Sequence, residues 1–277
     1  MKKVFLIPNA ITAFGLACGL FVIFKINMVE PGAGSYHVLY TSLLLLLVAA
    51  FADLLDGAVA RIIRAESDFG VIFDSLADAI SFGVAPSVLL LKGLSLEQGT
   101  GLSLFAIIGA MLYSICGVLR LVRFNVKAAQ PKAPEEILAQ KKHFTGLPID
   151  AAAIAAVSIN LFFASPEVQE LLQLSSKTTA IILSCAMIIL GFFMISRWKF
   201  PSLKVLHFRV PSFQLVLMTV ILAIILIYGV LHFFSLTLLV ISWGYIVLGW
   251  ILSTIRLIAG KKSKTLEDFE PEDEDGE

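Results

Sequence analysis

The stretch from Phe51 to Gly83 reads FADLLDGAVARIIRAESDFGVIFDSLADAISFG, and four aspartates stand in it: Asp53, Asp56, Asp74 and Asp78. The sequence on both sides is apolar enough to belong in lipid. Asp53 and Asp56 are three apart, Asp74 and Asp78 four apart, so on helices each pair shares one face. A short connection makes the two helices antiparallel neighbours and brings the pairs together at similar depth. An aspartate at mid-membrane costs about 2.5–3.5 kcal/mol, and four converging acids repel one another besides. One or two could be solvated helix ends. Four converging with two glycines and an arginine call for a cation.

Carboxylates are the natural ligands of Mg²⁺, Mn²⁺ and Ca²⁺, and four of them can hold two ions. Paired metals recur in phosphoryl chemistry because they brace the attacking and leaving oxygens together. Other residues of the stretch suit a phosphate. Gly57 lets a ligand approach the helix backbone, Ala60 is small one turn on, and Arg61 can fork onto phosphate oxygens. Ser67 and Gly70 put a hydroxyl and a flexible point in the connection.

The rest of the chain agrees with a membrane setting. Of its 277 residues, 58% are hydrophobic and 15% charged, where a soluble domain carries about a quarter charged. Eight apolar runs are long enough to span, at roughly 5–27, 37–60, 70–91, 101–122, 147–164, 178–196, 211–233 and 235–258. Only helices and closed barrels satisfy their backbone in lipid, and no strand-like alternation is visible. The expected fold is therefore all-α, a polytopic membrane bundle of about eight helices. All 21 Lys and Arg residues except Lys25, Lys92 and Lys177 fall on one set of helix ends. That places both termini, and the aspartates, on the cytoplasmic side. The first run is too long for a signal-peptide core. Cys18, Cys116 and Cys185 are scattered through apolar runs and read as buried thiols. Gly15 and Gly19 form a GxxxG, a helix-packing device. The division is a membrane domain over 1–260 and a tail over 261–277, whose eight carboxylates after Leu266 read as solvated and disordered.

DLLDGAVARIIRAESDFGVIFDSLAD meets all eight fixed positions of D-x-x-D-G-x-x-A-R, eight residues, G-x-x-x-D-x-x-x-D. In this it resembles the CDP-alcohol phosphotransferases. The resemblance implies a membrane enzyme that moves a substituted phosphate from a CDP-alcohol to a hydroxyl, releasing CMP. It implies metal ligation by Asp53, Asp56, Asp74 and Asp78, by two Mg²⁺ or Mn²⁺ ions, with Asp78 also the general base. It puts Gly57, Ala60, Arg61, Ser67 and Gly70 at the CDP site, joined by Asn9 and Thr12 of a PNAIT element. There the related enzymes often continue with Asn where this chain has Gly15.

Outside the motif, ISFGVAPS, RLVRFN, FTGLP and RWKFPSLK resemble the integral-membrane phosphatidylserine synthases. This branch implies CDP-diacylglycerol and L-serine as substrates, an inner-membrane location and a homodimer, with lipids rather than nucleic acid as partners. Ile149 and Asp150 stand where Ser-Pro often follows GLP, and Leu203 where an aromatic is common; both bear on acceptor choice. Serine's carboxylate needs a cation, for which Arg120, Arg123 and Asn125, then Arg197 and Lys204, are the candidates. Glycerol 3-phosphate, inositol phosphate or an amino alcohol remain as alternative acceptors. A transporter would place its acids near mid-membrane and repeat its broken helices; here they gather at one interface.

Overall fold

The computed structural model describes residues 6–29, 36–63, 67–94, 96–97, 99–129, 143–201 and 212–259. Two compact units emerge, residues 1–128 with 149–195, and residues 129–148 with 196–277.

The first unit opens with α1 (Leu6–Asn27) and α2 (Tyr36–Ile62), which pack along one another. A third span follows without a chain break but with a change of pitch: α3 (Asp68–Asp78), a π-helical turn (Ala79–Val84) and α4 (Ala85–Gly93). α5 (Gly101–Ala129) comes next, then α6 (Ile149–Ala164), the short α7 (Pro166–Leu172) and α8 (Ser176–Ile195). α6 is the inner helix. Its Ala152, Ala153, Ala155 and Ala156 are buried, and such small side chains let α2, α4 and α8 close around it. On the other flank α1 packs against α2, α3, the π turn and α4. The GxxxG of α1 serves this packing within the chain. A Cβ on Gly15 would stand 3.6 Å from the Ala49 carbonyl oxygen, and one on Gly19 would run into Ser81 of the π turn.

The second unit holds β1 (His143–Thr145) and β2 (Lys199–Pro201), an antiparallel ladder with Phe144 opposite Phe200, together with α9 (Ser212–His232) and α10 (Phe234–Ala259). Gly146 leaves β1 at φ +76°, a conformation that favours glycine, and its N–H donates to the Trp198 carbonyl at 2.8 Å. Phe200 is fully buried, and Gly249 makes room for its ring, which a Cβ there would meet at 2.5 Å. Apart from this three-residue ladder the elements of the described residues are helical, as expected of an all-α bundle.

Among the described residues, six helical segments are long and apolar enough to cross a membrane: Leu6–Asn27, Tyr36–Ile62, Asp68–Gly93, Gly101–Val126, Ser176–Ile195 and Phe234–Ile255. They carry large apolar side chains on their exposed faces, Phe14, Phe21, Phe24 and Phe51 among them, as lipid-facing helices do. The chain is an integral membrane protein by this measure. The span expected at 147–164 is shorter, a 16-residue helix that bends by 65° into α7. Pro166 begins the new helix as Pro at a first turn can, so the ASPEVQE break contains a helix of its own. The stretch expected at 211–233 forms α9, a helix of 21 residues. Cys18 is buried as expected, whereas Cys116 and Cys185 are partly exposed.

Candidate active site

Helical spacing brings the acids together as the sequence predicts. One carboxylate oxygen from each of Asp53, Asp56 and Asp74 lies within 4.8 Å of the others. Ligands of a single Mg²⁺ or Ca²⁺ ion, at about 2.1–2.4 Å from it, stand at most about 4.2–4.8 Å apart. Three carboxylate oxygens at that separation fit a hard divalent cation. Asp78 falls outside this trio. It lies one turn further into the bundle, in a cleft of about 10 Å³ that the other three also line, with Thr12 and Ser81. That volume is about one water.

Each acid has its own support. Asp56 is buried and accepts a hydrogen bond from the Thr12 hydroxyl at 2.5 Å. Thr12, expected at the nucleotide, thus orients a candidate metal ligand. Asp74 and Asp78 are carried by α3, whose N-cap is Ser67; its hydroxyl accepts from the Gly70 N–H at 3.1 Å. A Cβ on Gly70 would meet Asn9 Oδ1 at 3.3 Å. Asn9, distant in sequence, therefore clusters with Ser67 and Gly70 at the start of the helix that carries Asp74 and Asp78. Gly57 is open, with nothing within 4 Å of where its Cβ would be. Ala60 follows on the same helix, half-buried. Arg61 is exposed, and its Nε donates to the Gly57 carbonyl at 2.8 Å.

The π turn begins at the residue after Asp78. A π turn widens the helix and shifts its carbonyls out of the ordinary ladder, and such turns are frequent at functional sites. Here α5 holds two of these carbonyls: the Tyr113 hydroxyl donates to Phe82 O and the Ser114 hydroxyl to Gly83 O, each at 2.9 Å. Tyr113 is fully buried. Neither residue was among the sequence candidates, because an apolar run such as AISFGV carries no sign of its pitch.

The acceptor candidates divide. Asn125 reaches the site's edge, donating from Nδ2 to the Ser75 hydroxyl at 2.8 Å, next to Asp74. Arg120 is half-buried with its Nε sealed from solvent. Arg123 Nη1 donates to the Ile195 carbonyl at 2.7 Å, at the C-terminus of α8, a favourable place for a cation. Arg197 belongs to the second unit, half-buried ahead of β2, and Lys204 lies outside the described residues. One further acid, Asp150, stands in the first turn of α6, a helix that packs against α2 and the π turn. On the outer side of the acidic helices, an apolar groove of about 550 Å³ runs between α1 and α2, lined by Phe14, Val48, Phe51, Ala52 and Leu55.

Comparison with known proteins gives a consistent picture. The sequence profile of the CDP-alcohol phosphatidyltransferases matches residues 5–192. The chain is 33% identical over 198 residues to the CDP-diacylglycerol–serine O-phosphatidyltransferase of Bacillus subtilis (strain 168), covering 72% of this chain and 91% of that protein. It is 30% identical over 246 residues to the protein of that name from Helicobacter pylori (strain 26695), covering 84% and 92%. An archaeal protein of the same name, from Methanocaldococcus jannaschii, is 30% identical over 202 residues, covering 73% and 77%.

Proposed function

This chain belongs to the CDP-alcohol phosphatidyltransferase family, and we propose that it transfers the phosphatidyl group of CDP-diacylglycerol to the hydroxyl of L-serine, giving phosphatidylserine and CMP. The observation that carries the chemistry is the meeting of Asp53, Asp56 and Asp74 within 4.8 Å, with Asp78 in the same cleft. The serine acceptor is supported by the names of the relatives from two bacteria and an archaeon.

Asp53, Asp56 and Asp74 would hold divalent cations, Mg²⁺ or Mn²⁺, with Asp78 completing the set for a second ion. When bound, such ions neutralise a diphosphate and stabilise charge on a departing phosphate oxygen. This chain's own residues do the rest. Thr12 holds Asp56 in place. Asn9, Ser67 and Gly70 line one side of the CDP position. Gly57 and Ala60 leave space for the nucleotide on the other side, with Arg61 available to its phosphates. Asp78 takes the proton of the serine hydroxyl. The serine oxygen then forms its bond to the phosphatidyl phosphorus as the bond to CMP breaks, and CMP leaves with that electron pair. Asn125, Arg120 and Arg123 are the first candidates for the serine carboxylate, and Arg197 and Lys204 are the remaining ones from the sequence. An acyl chain of the donor rests in the groove between α1 and α2, whose Ala52 and Leu55 adjoin Asp53 and Asp56 in sequence.

The distribution of Lys and Arg supports eight crossings with both termini, and the site, at the cytoplasmic face. The family resemblance supports a homodimer, and composition supports residues 1–260 as the membrane domain with an acidic tail beyond.

The test is CMP release by the purified protein in detergent, with CDP-diacylglycerol and Mg²⁺ or Mn²⁺. L-serine, glycerol 3-phosphate, inositol phosphate and no acceptor are compared, each with and without chelator. Chelator-sensitive release that requires L-serine is expected. Release driven by another acceptor keeps the aspartate chemistry and discards serine.

A further inference from the structure

Away from the acids, the first unit holds a second cavity, of about 840 Å³, among α2, α4, α6, α7 and α8. Tyr36, which opens α2, lines it. At 1.5 Å per residue, Asp53 stands about 25 Å further along that helix. The cavity is therefore separate from the transfer site. The 65° bend takes α7 off the axis of α6, and residues of both helices line the space. Leu39, Phe163, Leu172 and Leu183 give it apolar walls. Volume and lining are those of a site for a small amphiphile between helices.

Its polar groups are of one kind. Tyr36, His37, Asn160, Gln169, Ser176 and Thr179 line it, and among the described residues no Asp, Glu, Lys or Arg does. Hydroxyls, amides and an imidazole exchange hydrogen bonds with a polar head. Without a carboxylate, ammonium or guanidinium to pair with it, a charged head would be costly to bury.

Asn160 shows where that head belongs. It is 5% exposed. Among the described residues its side chain makes one hydrogen bond, from Nδ2 to the Leu89 carbonyl at 3.5 Å, longer than such bonds ordinarily are. Oδ1 has no partner among them. Gly93, also in the cavity wall, stands beside this amide: a Cβ on it would meet Asn160 Nδ2 and Oδ1 at 3.5 Å each. An asparagine in a membrane helix usually ties two helices together. Here the tie to α4 is weak, and a buried acceptor is left that calls for a donor. A hydroxyl supplies one without bringing charge.

We infer that this cavity binds an uncharged, hydroxyl-bearing lipid of the acylglycerol class. Its hydroxyl donates to Asn160 Oδ1, and an acyl chain lies along Leu39, Leu172 and Leu183.

The experiment places the full chain in nanodiscs of phosphatidylcholine, a lipid with no free hydroxyl. A trace of 1,2-diacylglycerol with a diazirine on one chain is added, and the light-induced adducts are mapped by mass spectrometry. Adducts should concentrate in 36–39, 160–172 and 176–183 and be competed by dioleoylglycerol. Its 3-acetyl ester, whose hydroxyl is capped, and dioleoyl phosphatidic acid should compete about tenfold less well, the worth of about one hydrogen bond. Asn160→Leu should weaken competable labelling by a similar factor while CMP release stays at the wild-type level. If Asn160→Leu does not purify as a folded protein, Thr179→Phe, which fills the cavity from α8, carries the same comparison. Adducts spread evenly over the lipid-facing helices overturn the inference, as does unchanged labelling in the variant. Equal competition by the capped ester overturns it too, and stronger competition by phosphatidic acid replaces the uncharged ligand with an anionic one. None of these outcomes touches the serine reading, which the acceptor dependence of CMP release tests separately.

Discussion

The two helices that bring acids to the site are built differently. α2 keeps α-helical pitch for 27 residues, and Asp53 and Asp56 sit on it as i and i+3. The third span starts at an N-cap, Ser67, carries Asp74 and Asp78 as i and i+4, and changes to π pitch at the next residue. Both pairs obey the same face rule, yet they end in different environments. Asp74 joins the α2 pair within 4.8 Å, and Asp78 does not. The difference separates a ligand trio, held by regular helix packing, from a fourth acid held at the mouth of an irregular turn. It fits a division of labour in which three carboxylates hold one cation and the fourth moves a proton beside a second.

That division can be broken most directly at the trio. Asp53→Asn or Asp74→Asn should lose both cation binding and turnover, by about a thousandfold or more. CMP release, together with Mn²⁺ binding followed by electron paramagnetic resonance, reads the two losses. Asp78→Asn should behave otherwise. A general base contributes about 10²–10⁴ in rate, so kcat should fall by that range while Mn²⁺ and CDP-diacylglycerol still bind. If Asp78→Asn loses the cation as completely as Asp74→Asn does, the fourth acid is a ligand like the others and the division fails.

A smaller change sharpens the α2 side. Thr12→Val removes the hydroxyl on Asp56 while keeping the shape of the side chain. Partners of metal ligands are worth about 10–100-fold in metal affinity. The Mn²⁺ concentration for half-maximal CMP release should rise by that factor, and the rate at saturating Mn²⁺ should recover. A rate that stays low at saturation would return Thr12 to the nucleotide and away from Asp56.

How much of this could be read beforehand follows the range of the forces involved. The trio and Asp78 were legible because their chemistry lies within 26 residues, and helical period alone turns those residues to one face. Gly57 and the GxxxG of α1 were legible too, since a missing side chain states its own purpose. The partnership of Thr12 with Asp56 spans 44 positions and rests on α1 crossing α2, which no local pattern encodes. Asp150 reads locally as an acid in a first turn, and Arg123 as a positive residue at a span end. Only the packed helices set the helix that carries Asp150 against α2 and the π turn, and send Arg123 to the end of α8. The bend at Ser165–Pro166 was visible as a break, but Pro at a first turn starts a helix as readily as it ends one.

The π turn supplies the finest test of the comparison, because its support comes from another helix. Tyr113→Phe removes one oxygen and leaves the Phe82 carbonyl buried without its donor, at a cost of about 1–3 kcal/mol. Part of that cost is general, and the thermal midpoint should fall by about 2–4 °C. The rest depends on what the turn does. If it aims Asp78, kcat should drop by about tenfold at unchanged KM for both substrates, since about 1.4 kcal/mol lost only in the transition state is tenfold in rate. Mn²⁺ binding should be untouched, because the trio does not lean on this turn. Ser114→Ala, which frees the neighbouring Gly83 carbonyl, should act in the same direction with a smaller effect, as Ser114 also contacts Ser87 and the Ala110 carbonyl. A Tyr113→Phe enzyme with lower thermal stability but full kcat would make the turn a packing feature only. Asp78 would then owe its place to α3 itself, as Asp74 does, and the contrast between the two acids would reduce to their depth in the bundle.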